Sequence, residues 1–298
     1  MGNSSDVESR ESKLILTVGR PDEWAYFQAT YPEFLRHVPK VVALAEKVTR
    51  VEVDFEPPVN KVIHGLTMMC LEEFMEIILV CGNGYGIAGL KLLRTMYENA
   101  VAAHYLHLEP RDVNLFLDFL FVAERKVLDA LEREVGPGAV PEGLRGQTLR
   151  EFERVKASFE VVLCRHCGHK GLNFRWSELD FVSMANKCKG LNRLIVPAYL
   201  DLLRYTHATV GGMFARHEAH ADGFGYRTAP HHEEAETALM VADDIILLAV
   251  ALYIDHFQLE GFEPEMAELI DESSAIQRTL GKGHEGDAAA GETKRPSS

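Results

Sequence analysis

A chain of 298 residues with 47% hydrophobic content can bury a sizeable core, and its formal charge of −14 is spread along it without a basic stripe of the kind that tracks a phosphate backbone. Nonspecific nucleic-acid binding is therefore not expected, which leaves a local site open. The five cysteines are too few and too irregularly spaced for a secreted disulfide framework, no signal-peptide pattern opens the chain, and the longest purely apolar run, 245–254, falls short of a bilayer span, so a cytoplasmic protein with no membrane contact is expected.

Residues 1–12 are polar and aperiodic and read as a disordered lead. From 21 to 50 the spacing of Trp24, Phe27, Tyr31, Phe34, Val38 and Val42 predicts two peripheral helical pieces divided at Pro32 or Pro39. Residues 59–81 predict a strongly apolar helix, and Gly82-Asn83-Gly84-Tyr85-Gly86 predicts a tight helix-helix turn rather than a phosphate cradle, since it follows a helix and lacks the Lys-Ser/Thr of a P-loop.

The stretch 86–110 is the centre of the pattern. Leu90, Leu93, Tyr97 and Val101 lie near helical spacing, the other faces are also apolar, and the polar residues gather on one strip of Lys91, Arg94, Thr95, Glu98 and Asn99. Further helices are expected over 112–134 and 147–163, after an N-cap at Ser177, over 194–214, over 233–257 and over 264–280, with a polar loop at 215–232 and a disordered tail at 281–298. No convincing alternation or internal repeat occurs. The fold class is all-α, one multi-helix bundle over 13–280.

Three constellations carry possible chemistry. Arg94 and Glu98, four apart on the central helix, would meet His207 if the two apolar helices pack together, giving a guanidinium, a carboxylate and an imidazole for acid–base work or for gripping an anion. Against this stands a satisfied Arg-Glu pair and a core histidine. Tyr97 and Tyr205 flank the same region as candidate binding residues. Cys164 and Cys167, with His166 and His169, match half of a zinc knuckle, with Cys188 as the nearby third thiolate; His217 and His220 lie in a loop rich in ligand-type side chains. In both places an ordinary polar loop outweighs metal, and no metal or cofactor is expected.

Leu92-Leu93-Arg94-Thr95-Met96-Tyr97-Glu98, followed by Tyr105-Leu106, then Trp176-Ser177, then Tyr199 through His207-Ala208-Thr209, resemble the signatures of the bacterial and archaeal family of unknown function 5677 over roughly 60–260. The chain departs from them at Leu203, where a hydroxyl four residues before the histidine belongs to the pattern. The resemblance implies a helical fold, adds Trp176 to the candidate binding residues, and implies no activity. The reading that results is a binding or regulatory module of unknown activity, with a polar pocket between the central helix and the His207 helix. The alternative is an effector similar to HEPN ribonucleases of toxin and antiphage systems. The Arg-to-His spacing of that class occurs here from Arg227 to His232, around Pro230. Partners are unassigned, and a homodimer fits the long apolar helices as well as a monomer does.

Overall fold

The computed structural model describes residues 19–291 apart from 137, 163, 165, 221, 222, 228 and 229, with the side chains of 218–220, 224 and 281–291 undescribed. The expected lead and the last residues of the tail lie outside this range. Eleven α-helices form among the described residues: α1 (Pro21–Thr30), α2 (Pro32–Thr49), α3 (Pro58–Gly82), α4 (Gly86–Leu108), α5 (Val113–Glu134), α6 (Glu142–Phe159), α7 (Phe181–Lys187), α8 (Leu203–Thr206), α9 (Val210–Phe214), α10 (His232–His256) and α11 (Glu263–Gly291). Two small antiparallel hairpins accompany them, β1 (Glu160–Val162) with β2 (Lys170–Leu172) and β3 (His217–His220) with β4 (Gly223–Tyr226). The fold is all-α.

At the centre α3, α4 and α10 pack on one another. Broad apolar faces are the reason: Leu93, Met96 and Tyr97 of α4, Phe74 and Ile77 of α3, and Ile245 and Tyr253 of α10 are fully buried. Each such side chain contributes about 1.5–3 kcal/mol by leaving water. Close approach of α4 to α10 depends on Gly86, where a Cβ would lie 2.2 Å from the His231 carbonyl oxygen. The turn before it is fastened too: Gly84 has φ +81, its carbonyl accepts from the His231 N–H at 3.0 Å, and the Asn83 side chain accepts from the Arg20 N–H at 2.9 Å.

α10 is long and apolar enough to cross a membrane by length and composition, which the short apolar run inside it does not suggest; 67% of its most apolar window is buried by neighbouring elements, as in a core helix. All five cysteines are free.

Several expectations are corrected. The chain divides at Pro32, while Pro39 lies inside α2, and these two helices are not peripheral: Phe27, Phe34, Val41, Leu44 and Val48 belong to the main core. The cap before α7 is Asp180, whose carboxylate accepts from the Ser183 N–H at 2.8 Å; Ser177 instead accepts from the Leu179 N–H. The single helix expected over 194–214 is broken into a 3-10 turn (Leu191–Leu194), a π-helical turn (Val196–Leu200), α8 and α9. Pro197 cannot donate into a regular ladder, and Thr209 ends the next piece by taking the carbonyl of Arg204. The loop expected at 215–232 contains the β3–β4 hairpin, and the last helix continues past Leu280.

Candidate functional site

The polar strip of α4 runs along the boundary between α3 and the broken segment. Arg94 is its hub. Its Nε donates to Glu98 Oε1 at 3.0 Å, its Nη1 donates to Thr206 Oγ1 at 3.1 Å, and its guanidinium lies 4.5 Å from the centre of the Tyr199 ring. The Arg94 side chain is 16% exposed and that of Glu98 42%. Arg94 thus ties the end of α8 to the central helix, and the residue that meets it there is Thr206.

On the α3 side, Asn99 Nδ2 donates to Glu73 Oε2 at 3.0 Å. Burial pushes the Glu73 carboxyl up to about 7; the Asn99 bond opposes this, and the charges of Glu76, Glu72 and Glu98 add to it.

His207 is the residue after α8, with extended backbone (φ −120, ψ 161), and it is exposed. It lines a cavity of about 390 Å³ together with Lys91, Arg204, Tyr205, Thr209, Arg216 and Tyr226. Local chemistry builds this wall. Thr209 donates to the Arg204 carbonyl at 2.7 Å and accepts from the Gly212 N–H at 2.9 Å. Gly212 is required because a Cβ there would meet the Arg204 carbonyl oxygen at 2.2 Å. Arg216 Nη1 donates to the Gly212 carbonyl at 2.7 Å, and Arg204 pairs with Asp201. Burial raises the Tyr205 hydroxyl above its ordinary value, with the Arg204 charge opposing. Among the described residues no carboxylate pairs with Lys91, and none lines the cavity.

Of the residues predicted from sequence, Arg94 and Glu98 are bonded to each other, and Tyr205 and His207 share the cavity. Tyr97 is core: it is fully buried and its hydroxyl donates to the Leu191 carbonyl at 2.9 Å. Trp176 packs edge-on against Tyr105 and Phe116, away from that cavity's lining. Lys91, Arg204 and Arg216 were missed as site residues. Arg204-Tyr205-Thr206-His207, four polar residues closing an apolar stretch, was the available signal.

Cys164 and Cys167 lie in the connection between β1 and β2, half-buried and exposed respectively. Hydrogen bonds from the Cys167 backbone and thiol, and then from the His166 backbone, hold the Cys164 thiol below its ordinary value. Cys188 cannot join them. It is 1% exposed and its thiol donates to the Met184 carbonyl. The β3 hairpin carries His217, in edge contact with Phe214 and Tyr226, whereas the His220 side chain lies outside the described residues. Among the described residues no group of three or more His, Cys, Asp or Glu could hold a metal ion. Arg227 and His232 go to different carboxylates, Glu234 at 3.2 Å and Glu23 at 2.8 Å.

No curated protein matches the chain, and no solved structure does. The profile of the family of unknown function DUF5677 matches residues 60–224. That span takes in α3, α4, Arg94, Glu98 and the whole cavity wall up to Arg216, and it stops before α10 rather than near 260. Because it covers more than half of the chain, the protein belongs to this family of unknown function, DUF5677.

Proposed function

We propose that the chain is a binding module for a small phosphate-bearing anion, taken up in the cavity between α4 and the α8–α9 turn. One observation carries the reading: in a chain of net charge −14, the described lining of this cavity holds Lys91, Arg204, His207 and Arg216 and no carboxylate. A site of one sign on a protein of the other sign concentrates a ligand that the rest of the surface repels. The volume of about 390 Å³ lies within the range of about 300–1,000 Å³ usual for small-molecule sites.

Preorganisation supports the same reading. Arg204 and Arg216 are held by Asp201 and by the Gly212 carbonyl, so little ordering remains for the ligand to supply. Lys91 is the uncommitted point charge. Arg94 is a positioning residue in this reading, because its contacts go to Glu98, Thr206 and Tyr199 and it fixes the wall rather than facing the ligand.

Calorimetric titration with pyrophosphate at low salt tests the proposal. Saturable binding is expected, weakened at least about tenfold, or 1.4 kcal/mol, in Lys91→Ala and again in Arg216→Ala. Binding that is absent, or equal in all three proteins, overturns it. The same preparations are assayed for RNA cleavage: cleavage lost in His207→Ala would replace the binding reading with the ribonuclease one.

A further inference from the structure

Away from the anion cavity, the connection between β1 and β2 holds two thiols on a fixed frame. The root of this hairpin is fastened: the Asn173 N–H donates to the Phe159 carbonyl at 2.8 Å, and Glu160, Val161 and Val162 pair with Leu172, Gly171 and Lys170. The Cys164 N–H adds one more rung by donating to the His169 carbonyl at 3.3 Å. Inside that rung the Gly168 N–H donates to the Cys164 carbonyl at 2.9 Å and closes 164–168 into one turn. Gly168 takes φ +69 there, a conformation that costs glycine little.

The turn brings Cys167 back to Cys164. The Cys167 N–H and thiol and the His166 N–H donate to the Cys164 sulfur, and these donors hold its thiol below the ordinary value. Cys164 is half-buried and Cys167 is exposed. The other three cysteines have the opposite surroundings. Cys70, Cys81 and Cys188 are buried, and burial pushes their thiols up, to about 12 at Cys81 and at Cys188. Buried thiols of that kind are inert, whereas an accessible thiol among hydrogen-bond donors is a nucleophile. A metal would need further ligands, and among the described residues no group of three or more His, Cys, Asp or Glu could supply them. Two accessible thiols in contact are what a disulfide requires.

We infer that Cys164 and Cys167 form a reversible dithiol–disulfide switch at the tip of this hairpin, with Cys164 as the attacking thiol and Cys167 as the resolving one. The co-reactant is a small-molecule disulfide. Cys164, as the thiolate, attacks one sulfur of that molecule, forms a mixed disulfide with it and expels the other half as a thiolate. Cys167 then attacks the Cys164 sulfur, closes the Cys164–Cys167 bond and expels the second half. The two protein thiols are oxidised, the small disulfide is reduced to two thiols, and the two protons lost by the cysteines end on the expelled sulfurs. A bond within a single turn restrains little of the unfolded chain, so it acts as a switch and not as a staple of the fold. The inference is independent of the anion site.

The test uses the full chain, reduced, freed of reductant and kept in chelator, then incubated with oxidised glutathione at neutral pH. Remaining thiols are alkylated and mapped by mass spectrometry. The unmodified chain is expected to lose two of its five thiols, Cys164 and Cys167, to a bond between them with no glutathione retained, and to recover both in dithiothreitol. Cys167→Ser is expected to stop with glutathione on Cys164. Cys164→Ser is expected to form no internal bond and to take glutathione on Cys167 at least about tenfold more slowly than Cys167→Ser takes it on Cys164. Five intact thiols in the unmodified chain overturn the inference, as does glutathione that stays on it without an internal disulfide. A bond joining two chains, or equal rates in the two variants, both folded by circular dichroism, also overturns it.

Discussion

Two charged regions of this molecule make opposite use of the same side-chain types. Between α2, α10 and α11, His37 is fully buried, with Nδ1 3.1 Å from Glu272 Oε2 and Nε2 3.3 Å from Asp243 Oδ1, the latter an ionic contact without a well-directed hydrogen bond. Ser273 donates to Asp243 Oδ2 at 2.5 Å and Lys40 closes on Glu272 at 2.8 Å. Every charge there has an opposite. The cavity beside α4 collects Lys91, Arg204, His207 and Arg216 in the open with no carboxylate in its described lining. Charge matched at a buried contact holds helices together, whereas in the cavity Arg204 finds its carboxylate, Asp201, outside the lining and Lys91 pairs with none among the described residues.

The largest effect that tests this contrast is Asp243→Ala. It strands His37 and Ser273 inside the protein and should cost about 3 kcal/mol or more in denaturant unfolding, since breaking a buried pair leaves an uncompensated group. A loss below about 1 kcal/mol would show that the network is not what holds α11.

A second effect is the pH profile of the same clamp. Burial, the largest influence, pulls the His37 imidazole down, but Asp243 and Glu272 together outweigh it and the net shift is upward. A base whose folded form holds its proton more tightly gives stability that is complete below the ordinary histidine value and is lost as pH rises through the raised folded value. Glu272 is lowered, chiefly by the Lys40 hydrogen bond, with burial opposing and His37 assisting. Its contribution is present above the ordinary carboxylate value and is lost as pH falls through the lowered folded one. Unfolding midpoints should therefore decline on both sides, and His37→Gln should flatten the alkaline limb and only reduce the acid one, which Lys40 still sustains.

Glu73→Gln gives the smallest and opposite change. An acid raised from 4.5 to about 7 by burial weakens the fold as pH climbs between those values. Allowing for the solvent that reaches this half-buried group, the variant should gain about 1 kcal/mol at pH 8 and nothing at pH 4. An equal change at both pH values would point to the Asn99 contact instead.

How much of this was legible in the sequence depended on how local the causes were. The three central helices announce themselves because helical spacing puts apolar residues on most of their faces and a glycine-rich turn joins the first two. The pairing of Arg94 with Glu98 follows from one turn of helix. The breakage of the 191–214 segment was not readable as such, since it rests on Pro197 together with the contacts of Gly212 and of Arg94, and Arg94 is 112 residues away from Thr206. For the same reason the clamp went unseen: His37 and Glu272 are 235 residues apart, and nothing in either neighbourhood marks the other. The cavity wall was missed where its cations, Arg204, His207 and Arg216, come from α8 and from the residues that follow α8 and α9, elements whose direction the local pattern leaves open.

The central claim, as proposed above, is that Lys91 serves a ligand and not the fold. Thermal melts of the unmodified chain and of Lys91→Glu, each with and without pyrophosphate, test it most directly, because a ligand that binds only the native state raises its melting temperature. The account predicts that Lys91→Glu melts like the unmodified chain in the absence of pyrophosphate and loses the rise that pyrophosphate gives. An equal rise in both proteins, or none in the unmodified chain, would contradict it.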